Sequence, residues 1–212
     1  MSVGPIPDCS EDAMETRLLE TPPPGITDFY ELPYESVDRS HQHIDRCRRI
    51  RVGPALTFVF ENQQTLWFRM QELAGVSRST ADADVRRLAD WYSRLMPSQN
   101  RLLAAIWVGE SGRRPYLNID NLRDVVAESR LVLRSGAGYE IAATLLPQRV
   151  RDHLIGLVGW IEFPFTDDDR RALDTPRREW RLVIESDDYS HESEPLSPAV
   201  LMSLLADLGL AE

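Results

Sequence analysis

From residue 101 onward the chain is a series of short β-rich runs closed by breaker residues, and that succession limits the fold more than any other feature. Arg101 to Val108, Arg130 to Arg134, Tyr139 to Leu145 and Leu154 to Phe165 combine β-branched and aromatic residues with turn formers at their ends. Ser135-Gly136-Ala137-Gly138 reads as the hairpin connection between two of these runs, which makes them antiparallel neighbours. Asp167 to Leu173 reads as a short helix, Trp180 to Glu185 as another strand, and Pro198 to Leu208 as a terminal amphipathic helix.

The first half is patterned differently. Ser36 is placed to cap a helix on which Val37, His41, Ile44 and Cys47 or Arg48 recur at helical spacing, up to the breaker Val52-Gly53-Pro54. Ala55-Leu56-Thr57-Phe58-Val59-Phe60 is a run of strand length, closed by Glu61-Asn62. Asn62 then caps a helix with a Leu66, Trp67, Met70 and Leu73 stripe that ends before Gly75. A second helix starts near Ser79 and buries Val85, Leu88, Ala89, Tyr92, Leu95 and Met96 before Pro97. The sum predicts an α+β fold over residues 31–212, with helices packed on one side of a mainly antiparallel sheet. Residues 1–30, acidic and carrying Pro22-Pro23-Pro24-Gly25, read as a flexible or partner-bound arm.

A length of 212 residues suits one domain with a substantial core. The net charge of −10 argues against nucleic acid, whose phosphate backbone needs a basic face. No apolar run approaches the roughly 20 residues that cross a bilayer, and Asp8, Glu11 and Asp12 stand where a secretion signal would be basic, so a cytoplasmic protein is expected. Cys9 and Cys47 lack CxxC spacing, and Cys47 reads as a small buried hydrophobe.

All 24 basic residues are arginines, and their densest cluster falls in Ser40-His41-Gln42-His43-Ile44-Asp45-Arg46-Cys47-Arg48-Arg49-Ile50-Arg51. A codon bias toward arginine accounts for the missing lysine better than for this clustering. Guanidinium is a planar fork of donors that holds carboxylate, sulfate or phosphate bidentately and keeps its charge near pH 7.

The run Arg48-Arg49-Ile50-Arg51-Val52-Gly53-Pro54, followed by Phe60-Glu61-Asn62 with Thr65, Gln71-Glu72-Leu73, Trp91-Tyr92, Met96-Pro97 and Leu103-Ala104-Ala105-Ile106, resembles the bacterial domain of unknown function 3501 family over most of residues 34–210. The resemblance implies a compact bacterial cytoplasmic protein, with partners among redox or iron proteins, and brings no established catalytic residues. The chain departs from the pattern at Val76-Ser77-Arg78, and at Ser186-Asp187-Asp188-Tyr189, where Asp-His-Pro is expected before the tyrosine. Such changes suit a divergent member recruited to a specialised pathway.

The candidate site follows from the arginine cluster. Arg48, Arg49 and Arg51 are the expected anion clamp; Asp45 is the expected general base, with His41 and His43 beside it. A plainer account makes Asp45 and Arg49 an ordinary i,i+4 helix pair worth about 0.3–0.5 kcal/mol. Glu61 and Asn62 sit at a strand-to-helix junction where ligands often bind, although Asn62 also serves as a helix cap. Arg69 and Glu72, three apart, either pair with each other or orient the cluster. His41 and Asp45 give two metal ligands, short of a site, and Asp167-Asp168-Asp169 reads as a helix start. No GxGxxG, GxxxxGK or GxSxG occurs, so no cofactor is expected. The five tryptophans read as core. The expectation is an enzyme or enzyme subunit in a biosynthetic pathway acting on a small anionic substrate. Intramolecular displacement of sulfate or phosphate, such as aziridine ring formation, is its concrete instance, with a protein partner or homodimer as the assembly. The competing expectations are a non-catalytic structural or regulatory partner and a metal or redox accessory protein.

Overall fold

The computed structural model describes residues 42, 44, 46–66, 68–69, 92–108, 119–147, 157–176 and 178–210. Its strands are β1 (Arg49–Val52), β2 (Leu56–Phe60), β3 (Arg101–Val108), β4 (Arg130–Ser135), β5 (Glu140–Ala142), β6 (Thr144–Leu146), β7 (Leu157–Pro164), β8 (Trp180–Glu185) and β9 (His191–Glu192). Three helices are described end to end, α1 (Ile119–Glu128), α2 (Asp167–Leu173) and α3 (Pro198–Asp207). The fold is α+β, and the described strands form two antiparallel sheets. The first runs in the order β1-β2-β3-β7-β6 and the second in the order β5-β4-β8-β9.

Period-two alternation divides the first sheet between two cores. Leu102, Ala104 and Ile106 of β3, with Phe58, Phe60, Ile161 and Phe163 on neighbouring strands, face the main core. There Phe60 stacks on Phe163 with centroids 5.8 Å apart. Leu131, Leu133, Leu182 and Ile184 of the second sheet close that core, together with Leu122 and Val126 of α1 and Val200, Leu204 and Leu208 of α3. The opposite face of the first sheet carries Leu103, Ala105 and Trp160, packed with Leu66, Tyr92 and Leu95. Both faces are covered, so every residue of β2 is buried, which explains its unbroken apolar run.

The two sheets share one bent run. Tyr139 to Leu145 predicts a single strand, but the chain turns at Ala143 and gives β5 to the second sheet and β6 to the first. A strand that changes sheets in this way makes a corner between packed layers. Thr166 caps α2 through a reciprocal box with Asp169, and Ser197 caps α3 ahead of Pro198.

The structure corrects the sequence reading in two further places. Helical spacing read from Ser36 stops at Cys47, and the arginines beyond it begin a strand, paired from Arg49↔Val59 to Val52↔Leu56. Ile50 and Val52 are buried while Arg49 and Arg51 are exposed, which is alternation and not a helical stripe. Helix α1 falls in a stretch for which the sequence reading assigned no element. The expected arm at 1–30 and most of the helix expected after Ser79 lie outside the described residues. Among the described residues no helix is long and apolar enough to cross a membrane.

Candidate functional site

Continuing the alternation past Phe60 puts Glu61 on the second face of the first sheet, where it is fully buried. The local sequence then folds a helix over it. Asn62 accepts from the Thr65 amide through its side-chain oxygen at 2.9 Å, while the Thr65 hydroxyl accepts from the Asn62 amide at 2.9 Å. This reciprocal cap satisfies two backbone donors at the start of the helix. It also aims the Thr65 hydroxyl at Glu61 Oε2, to which it donates.

Arg69, one turn beyond Thr65, completes the arrangement. Its Nε donates to Glu61 Oε1 at 2.6 Å and its Nη2 forms an ion pair with the same oxygen. The guanidinium lies 4.4 Å from the Trp107 ring centroid and 5.4 Å from that of Trp160, within cation–π range. Burial pushes the Glu61 carboxyl above its ordinary value, against the downward pull of Arg69, Thr65 and the more distant Arg48. A carboxylate so enclosed fixes the guanidinium plane and does not reach solvent.

The arginine cluster is divided between the two faces. Arg48 is 5% exposed and turns inward, where Nη1 and Nη2 grip both oxygens of Asp207 at the end of α3, the latter at 3.2 Å. Burial raises the Asp207 carboxyl and Arg48 lowers it, with burial prevailing. Arg49 and Arg51 take the opposite face because Ile50 and Val52 between them fill the main core. Cross-strand register sets Arg51, Thr57 and Trp107 in one row, and Arg49, Val59, Ala105 and Trp160 in the next. Arg49, Arg51, Glu61 and Arg69 therefore share a face that Arg48 does not.

His41, His43, Asp45 and Glu72 lie outside the described residues. The Asp45 and Arg49 helix pair loses its basis, because Arg49 is on a strand. Arg69 engages Glu61, eight positions earlier, and the Asn62 side chain is committed to the cap. Thr65, Thr57 and the tryptophan pair are absent from the sequence-based site. Trp160 is core as expected, but Trp107 is only half-buried and serves as the platform for Arg69. The signal that identifies these residues is the period-two alternation of Arg49-Ile50-Arg51-Val52, which assigns the face. Cys47 is buried as expected. Among the described residues no three histidine, cysteine or carboxylate side chains gather as a metal ion would require.

A crystal structure of a protein of unknown function from Burkholderia pseudomallei is similar to this chain, with a TM-score of 0.67 at 20% identity, covering 86% of this chain and 94% of that one. That likeness bears on the fold alone. No curated protein matches the chain. The model of a family described as protein of unknown function (DUF3501) matches residues 29–208, and the chain belongs to that family.

Proposed function

We propose that the protein is an enzyme, or one subunit of a heteromeric enzyme, that holds a small anionic substrate on the second face of the first sheet. The supporting observation is the placement of Arg49 and Arg51 at alternate positions of β1, exposed, on the face where Glu61 fixes Arg69. Strand geometry spaces their Cα atoms roughly 6–7 Å apart, close enough for two guanidinium forks to hold one group with several acceptor oxygens. Sulfate, phosphate and carboxylate qualify. Arg48 has no part in this reading, being committed to Asp207.

The reaction we favour is intramolecular displacement. A substrate amine attacks a neighbouring carbon, the C–N bond forms as the C–O bond breaks, and sulfate or phosphate departs with the electron pair. Asp45 takes the amine proton, and the product is a small ring such as an aziridine. Guanidinium forks accelerate such a step only in so far as they hold the departing anion more strongly than the intact ester. Sulfate released from a 2-aminoalkyl sulfate, followed by ion chromatography, tests the reading. Release should fall roughly 100-fold in the combined Arg49→Ala and Arg51→Ala variant, the order expected for removing a group that stabilises developing charge, and should vanish in Asp45→Asn. Release that these substitutions leave unchanged sinks the proposal.

A further inference from the structure

The turn that ends the arginine strand is completed by a residue from the other sheet. The Tyr189 hydroxyl, between β8 and β9, donates to the Val52 carbonyl at 2.7 Å and accepts from the Ala55 amide at 3.1 Å. Those are the two groups that a tight turn over Gly53 and Pro54 would join directly, so the hydroxyl is inserted into the turn's own hydrogen bond. Pro54 has no amide to offer in exchange. Gly53, at φ 63°, makes room for the phenol: a Cβ there would stand 2.5 Å from the Tyr189 oxygen and 2.6 Å from the His191 ring. The His191 ring packs edge-on against Tyr189 with centroids 4.4 Å apart. Ser186 holds the tyrosine's own loop, its hydroxyl accepting from the Tyr189 amide at 3.0 Å.

Arg51 is the residue before Val52, and it lies in the row of Thr57 and Trp107. We propose that Tyr189 is a positioning residue for the arginine pair: by clasping the end of β1 it sets where Arg51, and through it Arg49, stands relative to Arg69. This rests on the anion-holding reading of that face. It also gives a structural reason for the Val52-Gly53-Pro54 block and the distant tyrosine to act as one unit across more than 130 residues of chain.

The test combines two measurements on Tyr189→Phe and Ser186→Ala: amide hydrogen exchange in the β1–β2 hairpin, and titration with inorganic sulfate followed by tryptophan fluorescence. Tyr189→Phe should speed exchange at Ala55 and weaken sulfate binding about tenfold, which is the loss of roughly one good hydrogen bond's worth of order. Ser186→Ala, which loosens the clasp without touching the hairpin, should give a smaller change in the same direction, and thermal midpoints should not rank the variants by affinity. Faster exchange with unchanged sulfate affinity would make Tyr189 a fold clasp only, overturning the inference while the anion reading stands. Sulfate affinity absent in the wild type, or indifferent to Arg49→Ala and Arg51→Ala, would overturn both.

Discussion

Glu61 and Arg69 are each buried, and the balance between their desolvation and their pairing decides how firmly the helix over the second face of the first sheet is held. A buried ion pair gains little net stability over a well-packed apolar pair, because desolvation consumes most of the Coulombic gain, but breaking it strands a charge. Glu61→Gln leaves Arg69 facing two tryptophans without its counter-ion, and should destabilise the protein by about 3–5 kcal/mol in urea denaturation. Glu61→Leu combined with Arg69→Met should cost far less than either single change. If the double and single variants cost the same, the pair is not what holds the helix to the sheet. At this scale the sequence was informative about residue type and silent about partner. Glu61, Asn62 and Arg69 were all identifiable as site candidates, yet Arg69 had an obvious near neighbour in Glu72, and only tertiary register brings Glu61 under it. The same limit applies to the arginines: local spacing cannot tell Arg48, which turns inward to Asp207, from Arg49 and Arg51 on the other face.

Elements with strong local punctuation were legible, and those decided by burial were not. The Ser135 to Gly138 hairpin, the capped start of α2 and the terminal helix α3 all carry their own turn or cap chemistry, and the structure has each of them. Strand β1 lacks that advantage. Helix propensity differences amount to at most about 0.7 kcal/mol per ordinary residue, whereas burying an isoleucine or valine contributes about 1.5–3 kcal/mol, so Ile50 and Val52 pull the chain into the sheet. Helix α1 was missed for a related reason, since Leu122 and Val126 are a narrow stripe within a polar, valine-containing segment. The hairpin between β1 and β2 also carries a sharp prediction. Gly53→Ala places a Cβ on a left-handed backbone and against the Tyr189 oxygen. The conformational part alone costs roughly 1–2 kcal/mol, and the contact adds to it. Gly53→Ala should therefore lower the thermal midpoint more than Gly138→Ala, where φ is 81° but no atom lies within 4 Å of the added carbon. Equal losses would show that the Tyr189 contact yields without cost.

Across the whole molecule, the ion pair between Arg48 and Asp207 ties the start of the first sheet to the end of α3, 159 residues away. It lies on the side of the first sheet opposite Arg49 and Arg51, and it gives the fold a definite response to acid. Burial holds the Asp207 carboxyl above its usual range despite Arg48, and Glu61 is raised for the same reason. A carboxyl whose folded value is raised binds its proton more readily in the native state than in the unfolded one. Its contribution to stability is thus fully present below the ordinary carboxylate range and is lost as pH rises through the raised value. Glu140 and Glu185, lowered by hydrogen bonds from Arg130 and Arg134 on the second sheet, act in the opposite sense and lose their contribution as pH falls. Comparison of wild type with Asp207→Asn isolates the buried term, because the surface carboxylates cancel in the difference. The stability of wild type relative to Asp207→Asn, from urea midpoints between pH 4 and pH 7, should be greatest at the acid end and decline as pH rises. A difference that is flat across that range would mean that Arg48 compensates the burial of Asp207 fully, and a difference that grows with pH would mean that the ion pair outweighs desolvation.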